Sequence, residues 1–192
     1  MYIVLSGAHG IGKTTLAKKL ADVLNAEFLT ESIDESIPPP TLGTGGSDPL
    51  RAELWFVRQM LLKEAQMSDR KKIYVSDRGW ADISAYANVI LDEHARNLLR
   101  SVTDHLPRRM PDVHVIVDAP KETILARIKG RGRSAADGWN EFDEEYLGKI
   151  IGEFRAFHTA FKDLRPVHLV DVRGSVDDNL QQVLAAVTPY LP

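Results

Sequence analysis

Cysteine is absent from the chain, which excludes a disulfide framework and any thiolate metal site and is compatible with a reducing compartment. Blocks of like charge are also missing. The formal net charge is -3 over 192 residues, with neither a basic arm nor an acidic tail, so polymeric nucleic acid is a poor partner and a small ligand a better one. No apolar stretch reaches membrane-spanning length, and the run Tyr2–Ser6 is too short for a signal peptide. A soluble, cytoplasmic protein is the expectation. Repeats at solenoid periods are not found. With 44% hydrophobic and 27% charged residues, the chain can bury a full core, and one domain over residues 1–192 is expected.

What is present is an alternation. Five short apolar runs, Tyr2–Ser6, Glu27–Thr30, Ile73–Ser76, Val113–Val117 and Val167–Val170, read as strands. Between them the apolar spacing is helical: Leu16, Leu20 and Leu24; Leu54, Val57, Leu61 and Leu62; Ile83, Ala87, Ile90 and Leu91; Ile124, Leu125 and Ile128 after Pro120; Tyr146, Leu147, Ile150, Ile151, Phe154 and Phe157; then Leu180, Val183, Leu184 and Val187. Strands alternating with helices predict an α/β fold with a five-stranded parallel sheet flanked by helices. Two stretches break the pattern and read as covers over a site: an acceptor-side loop at about 32–48, rich in Pro and Gly, and a polar lid at about 130–143.

The first run leads into Gly7-Ala8-His9-Gly10-Ile11-Gly12-Lys13-Thr14, which fits G-x-x-x-x-G-K-[ST] between a strand and an amphipathic helix. Glycines let the backbone curl so that its N–H groups converge on an anion, and the helix N-terminus adds partial positive charge. Lys13 then reaches terminal phosphates and Thr14 a magnesium ion. Gly7, His9, Gly10, Ile11, Gly12 and Thr15 complete the phosphate-binding set, with His9 expected to act as a spacer.

Such a site needs a carboxylate at a neighbouring strand end to place the metal. Asp77 and Asp118 both end apolar runs. Asp77 is followed at once by Arg78, so a carboxylate and a guanidinium leave the strand together, with Asp82 and Ser84 just downstream. In Arg127-Ile128-Lys129-Gly130-Arg131-Gly132-Arg133, Arg131 and Arg133 lie on the Gly-punctuated lid, where arginines stabilise a transferring phosphoryl group. Arg127 either contacts the nucleotide or complements its helix dipole.

Together these segments resemble the thymidylate kinase and deoxynucleoside kinase group of P-loop kinases, over most of the chain. The matching segments are Gly7–Thr14, Asp77–Tyr86 and Pro120–Arg133. The resemblance implies a P-loop NTPase fold in which the third strand lies beside the first, favouring Asp77 over Asp118 for the metal. It further implies ATP and Mg2+ as cofactors, and a nucleoside or nucleoside monophosphate as acceptor. Glu31, after the second strand, resembles the acidic residue that deoxynucleoside kinases use as general base. Arg173 and Gly174 resemble the loop that closes over adenine. Trp55, Phe56, Arg58 and Gln59 lie on the helix that lines the acceptor base pocket in that group, and the region Arg96–Leu106 is placed to support a homodimer. The stretch Glu31-Ser32-Ile33-Asp34-Glu35 departs from the Pro-Gly-Gly that follows this Glu in thymidylate kinases. The alternatives are a kinase of another small molecule, such as a nicotinamide riboside-type nucleoside, or a P-loop ATPase or regulatory nucleotide-binding module.

Overall fold

The computed structural model describes residues 1–38, 40, 48–130 and 142–192. Along the chain run β1 (Tyr2–Ser6), α1 (Lys13–Val23), β2 (Glu27–Leu29), α2 (Pro49–Gln66), β3 (Tyr74–Asp77), α3 (Trp80–Ile90), α4 (Glu93–Thr103), β4 (Val113–Asp118), α5 (Lys121–Gly130), α6 (Glu144–Phe161), β5 (Val167–Asp171) and α7 (Val176–Val187). A short 3-10 turn, Thr188–Tyr190, follows. All five strands are parallel, in the order β2-β3-β1-β4-β5. This is the expected sheet, flanked by helices as a P-loop kinase requires, with the third strand beside the first.

Every residue of β1 is buried, as a central parallel strand requires when both faces are covered. Its alternate side chains feed different clusters. Ile3 and Leu5 join Leu16, Ala17 and Leu20 of α1, while Tyr2 and Val4 meet Leu29, Met67 and Tyr74. A third cluster, Val57, Met60, Ile83, Ala87, Leu91 and Leu99, joins α2, α3 and α4. Helix starts are fixed by short acceptors: Asp48 accepts from Arg51 N ahead of Pro49, Asp143 from the Glu145 and Tyr146 amides, and Ser175 from Asp178 N. The helical pattern after β3 is interrupted at Leu91, whose extended backbone ends α3 before Asp92 caps α4.

One polar thread crosses the core. Ser6 Oγ donates to Asp82 Oδ2 at 2.5 Å, and His114 Nε2 lies 2.7 Å from the same hydroxyl. With the serine proton committed to Asp82, the imidazole is the donor, through its Nε2–H tautomer. Burial pushes the His114 pKa down to about 3, so the ring is neutral in the folded protein. The unfolded chain binds that proton below its ordinary pKa of about 6.5 and the folded chain does not. The neutral-ring contribution is therefore present above about pH 6.5 and lost as pH falls toward 3. The stability difference between wild type and His114→Gln, from denaturant midpoints, should shift by roughly 1.4 kcal/mol per pH unit in that window, wild type losing more. A pH-independent difference would contradict this.

Candidate active site

The phosphate loop is shaped by backbone conformations that side chains resist. Gly7, Gly10 and Gly12 have φ of +148°, +77° and +106°. A Cβ on Gly7 would stand 2.5 Å from the Val117 carbonyl oxygen, and one on Gly10 would stand 2.4 Å from Ile128. Those positions demand glycine for conformation and space together. Lys13, the first residue of α1, donates through Nζ to the Gly7 and Ala8 carbonyls, both at 2.8 Å. Burial, then Arg78, lowers its pKa to about 8. Thr15 is exposed on the next turn position.

His9 is more than a spacer. Its backbone N–H donates to Tyr86 Oη at 2.9 Å, and its ring stacks on Tyr146 with centroids 5.5 Å apart. The loop tip is thereby clasped by α3 and α6. Arg127 donates to the Ile11 carbonyl at 2.7 Å and to the Val172 carbonyl, joining the phosphate loop to the β5–α7 connection. Arg173, on that connection, is exposed and forked onto Asp171, and the Gly174 carbonyl accepts from Asn179.

At the end of β3, Thr14 Oγ1 donates to Asp77 Oδ2 at 2.5 Å, and Asp77 Oδ1 is buried with no hydrogen-bond partner among the described residues. A hydroxyl beside a carboxylate with a spare oxygen is a hard-oxygen donor set of the kind magnesium takes, so the residues fit that ion. Asp118, the other strand-end carboxylate, is held by Arg155 of α6 at 2.9 Å.

Arg78 has a φ of +69°, a left-handed conformation costing roughly 1–2 kcal/mol in a non-glycine residue. It persists because three elements hold it. Its N–H donates to the Leu5 carbonyl at 2.9 Å, its carbonyl accepts from Ser76 Oγ at 2.7 Å, and the buried Lys63 ammonium donates to the Asp77 carbonyl at 2.7 Å. Burial, opposed by Asp77, lowers the Lys63 pKa to about 8. The turned side chain brings Arg78 Nε within 2.6 Å of Glu31 Oε1 and Nη1 within 3.6 Å of Asp82 Oδ1, with its guanidinium 5.0 Å from the Tyr86 ring centre. Burial works against the guanidinium charge, but the neighbouring carboxylates outweigh it and raise Arg78 above its ordinary range.

A cavity of about 180 Å³ joins these parts. Its lining includes Gly12, Lys13 and Thr14 of the phosphate loop and the start of α1, Glu31 after β2, Asp77 and Arg78 at the end of β3, and Ala52, Glu53, Phe56, Met60 and Lys63 of α2. Of the α2 residues singled out in the sequence, only Phe56 reaches the cavity. Trp55 is buried and donates its indole N–H to the Ile37 carbonyl; Arg58 pairs with Asp34; Gln59 accepts from the Ile33 and Asp34 amides and donates to the Asp34 carbonyl. The helical period explains the correction: 52, 53, 56, 60 and 63 form one stripe, while 55, 58 and 59 face the 33–37 segment. Ser84 is exposed and bonds back to the Trp80 carbonyl. Glu53, Lys63, Tyr86 and Tyr146 were not singled out. The signal for Glu53 and Lys63 was charge on the apolar stripe of a helix. Arg131 and Arg133 lie outside the described residues, as do most of the lid and positions 39 and 41–47 of the acceptor-side loop. No described helix is long and apolar enough to cross a membrane.

Comparison with known proteins agrees with this geometry. The model of the deoxynucleoside kinase family matches residues 3–189. The thymidylate kinase of Xanthomonas euvesicatoria is 30% identical, the match covering 100% of this chain and 84% of that one. The deoxyguanosine kinase of Lactobacillus acidophilus is 23% identical over 88% of this chain and 79% of its own. Among solved structures, deoxyadenosine kinase from M. mycoides superposes with a TM-score of 0.79 at 17% identity, covering 98% of this chain and 99% of that one. Thymidylate kinase from Candida albicans does so at 0.74, also 17% identical, covering 98% and 91%. With a family match over nearly the whole length and a phosphate loop set beside the end of β3, the chain belongs to the deoxynucleoside kinase family of phosphotransferases.

Proposed function

We propose that the protein transfers the γ-phosphoryl group of ATP to the 5′-hydroxyl of a deoxynucleoside. The observation that carries this reading is the Glu31–Arg78 pair, 2.6 Å apart in the same cavity as Lys13 and Thr14. A carboxylate held by Arg78 in the cavity that Lys13 and Thr14 also line takes the hydroxyl proton as the 5′-oxygen bonds to the γ-phosphorus and ADP leaves. Charge balance favours a neutral acceptor. Glu31 and Asp82 line that cavity, and the described arginines nearest it are committed, Arg78 to these two carboxylates and Arg58 to Asp34.

In this reading Gly7, Gly10 and Gly12 turn the loop amides toward the triphosphate, and Lys13 moves its ammonium from the loop carbonyls to the terminal phosphates. Thr14 and Asp77 hold the magnesium ion, which supplies positive charge to offset that of the phosphates. Arg127, Arg173 and Gly174 form the wall on the nucleotide side, and Arg131 and Arg133 bear on the transferred group from the lid. The likeness to a thymidylate kinase over the whole chain supports a second reading, in which Arg78 turns to the phosphate of a nucleoside monophosphate. The exposed Leu98 and Val102 of α4 mark the face a second copy would cover in a homodimer. A cytoplasmic setting suits the metabolite pool such a kinase draws on.

ADP release measured across deoxynucleosides and their monophosphates separates the two acceptors; turnover confined to monophosphates would overturn the first reading. Glu31→Gln should lower kcat by about 10²–10⁴-fold with a deoxynucleoside, and wild-type kcat in that variant would remove Glu31 as the base. Lys13→Ala should abolish turnover while circular dichroism shows an intact fold. Near-normal turnover in that variant would refute the role given to the phosphate loop.

A further inference from the structure

His114 has a second ring nitrogen that the core does not use. The residue is 5% exposed. Its Nε2–H is committed to the Ser6 hydroxyl at 2.7 Å, so Nδ1 carries the lone pair of the neutral ring. That nitrogen has no hydrogen-bond partner among the described residues, and a buried acceptor with an unmade bond calls for an explanation. His114 lines a second cavity, of about 430 Å³, bounded by β1, β4, α3 and α6. Gly79 is the one lining residue it shares with the cavity of the phosphate loop.

The lining of this second cavity is aromatic and positively charged. The Phe157 ring centre lies 5.2 Å from that of His114 and 4.8 Å from that of Phe161, and Trp80 of α3 adds a further ring. Arg108, Arg109 and Arg165 also line it and no described carboxylate does, although the chain as a whole carries a net charge of -3. Two of these arginines are engaged. Arg108 donates to the Thr103 carbonyl and to Asp104, and Arg109 to the Met67 carbonyl. Arg165 is exposed and makes no side-chain hydrogen bond or ion pair among the described residues. A whole guanidinium fork matches the two oxygens of a carboxylate.

We propose that this cavity is a second ligand site, and that it takes a flat aromatic monocarboxylate with an O–H or N–H at the end opposite its acid group. The ring system packs among Trp80, Phe157 and Phe161, where aromatic faces and edges suit one another. The carboxylate pairs with Arg165 at the exposed part of the lining, and the donor bonds to His114 Nδ1 at the buried part. The cavity has the volume of a small-molecule site, with many apolar walls and a few polar groups that fix orientation. Each polar contact answers a group that is otherwise unmatched. The donor satisfies the one free atom of a buried imidazole, and the acid neutralises a cation in a lining that has no negative charge of its own.

Calorimetric titration of the full chain with 6-hydroxy-2-naphthoate, 2-naphthoate and 2-naphthol separates these contacts. The hydroxy acid should bind once per chain, and the plain acid and the plain alcohol each about tenfold more weakly. Arg165→Ala, at an exposed position that leaves the core intact, should weaken both acids by about tenfold and leave 2-naphthol unchanged. His114→Phe should abolish the advantage of the hydroxy acid over 2-naphthoate, with circular dichroism as the check on folding. The same contact is read without substitution from the imidazole nitrogen resonances of wild type. The His114 Nδ1 signal should move several times further with the hydroxy acid than with 2-naphthoate. No binding of the hydroxy acid at millimolar concentration, equal affinity for the two acids, or an Arg165→Ala chain that binds both as wild type does would each overturn the proposal.

Discussion

The turn that ends β3 holds the site together. Asp77 and Arg78 are consecutive, yet one meets Thr14 beside the phosphate loop and the other Glu31, and the +69° φ at Arg78 is the bend that separates them. That conformation is unfavourable on its own. It is sustained by the Leu5 carbonyl on one strand, the Ser76 hydroxyl on its own, and the Lys63 ammonium from α2. Lys63 is buried at a cost to its charge and recovers part of it by donating to the Asp77 and Arg78 carbonyls. A strained residue fixed from three directions gives the site its preorganisation.

Around that turn the polar groups form a chain rather than a set of pairs. His114 donates to Ser6, Ser6 to Asp82, and Asp82 stands against Arg78, which reaches Glu31. The serine belongs to β1 and the histidine to β4, so the sheet interior is tied to the Arg78–Glu31 pair of the cavity. Tyr86 and Tyr146 do the same for the phosphate loop through His9. In a low-dielectric interior such chains strengthen their members and penalise the loss of any one. The cavity is therefore shaped by α2, α3 and α6 as much as by the glycine-rich loop.

Much of the fold was legible in the chain. Each of the five apolar runs became a strand with ends moved by a residue or so, because β-branched residues bounded by turns carry a local signal. The phosphate loop was legible for a similar reason: the positive φ of its glycines already calls for glycine within that short segment. Asp77 and Arg78 stood out as charges at a strand end. The helix α2 was harder. Trp55, Arg58 and Gln59 have the chemistry of base recognition but point at Ile33–Ile37, whereas Glu53, two positions before Trp55, and Lys63, four after Gln59, line the cavity. A rotation of 100° per residue makes the facing stripe depend on where the helix is docked, which local spacing does not fix.

By itself, then, the sequence determined the elements, their parallel arrangement and the phosphate cradle, since these follow from period, propensity and glycine conformation within short stretches. Tertiary structure decided which carboxylate stands beside Thr14, how Arg78 is turned, and which face of α2 lines the cavity. Those choices depend on contacts between residues far apart in the chain, 63 positions for Thr14 and Asp77 and 108 for Ser6 and His114. The upward shift of the Glu53 pKa is likewise a product of burial, which comes into being only when the helices close over the sheet.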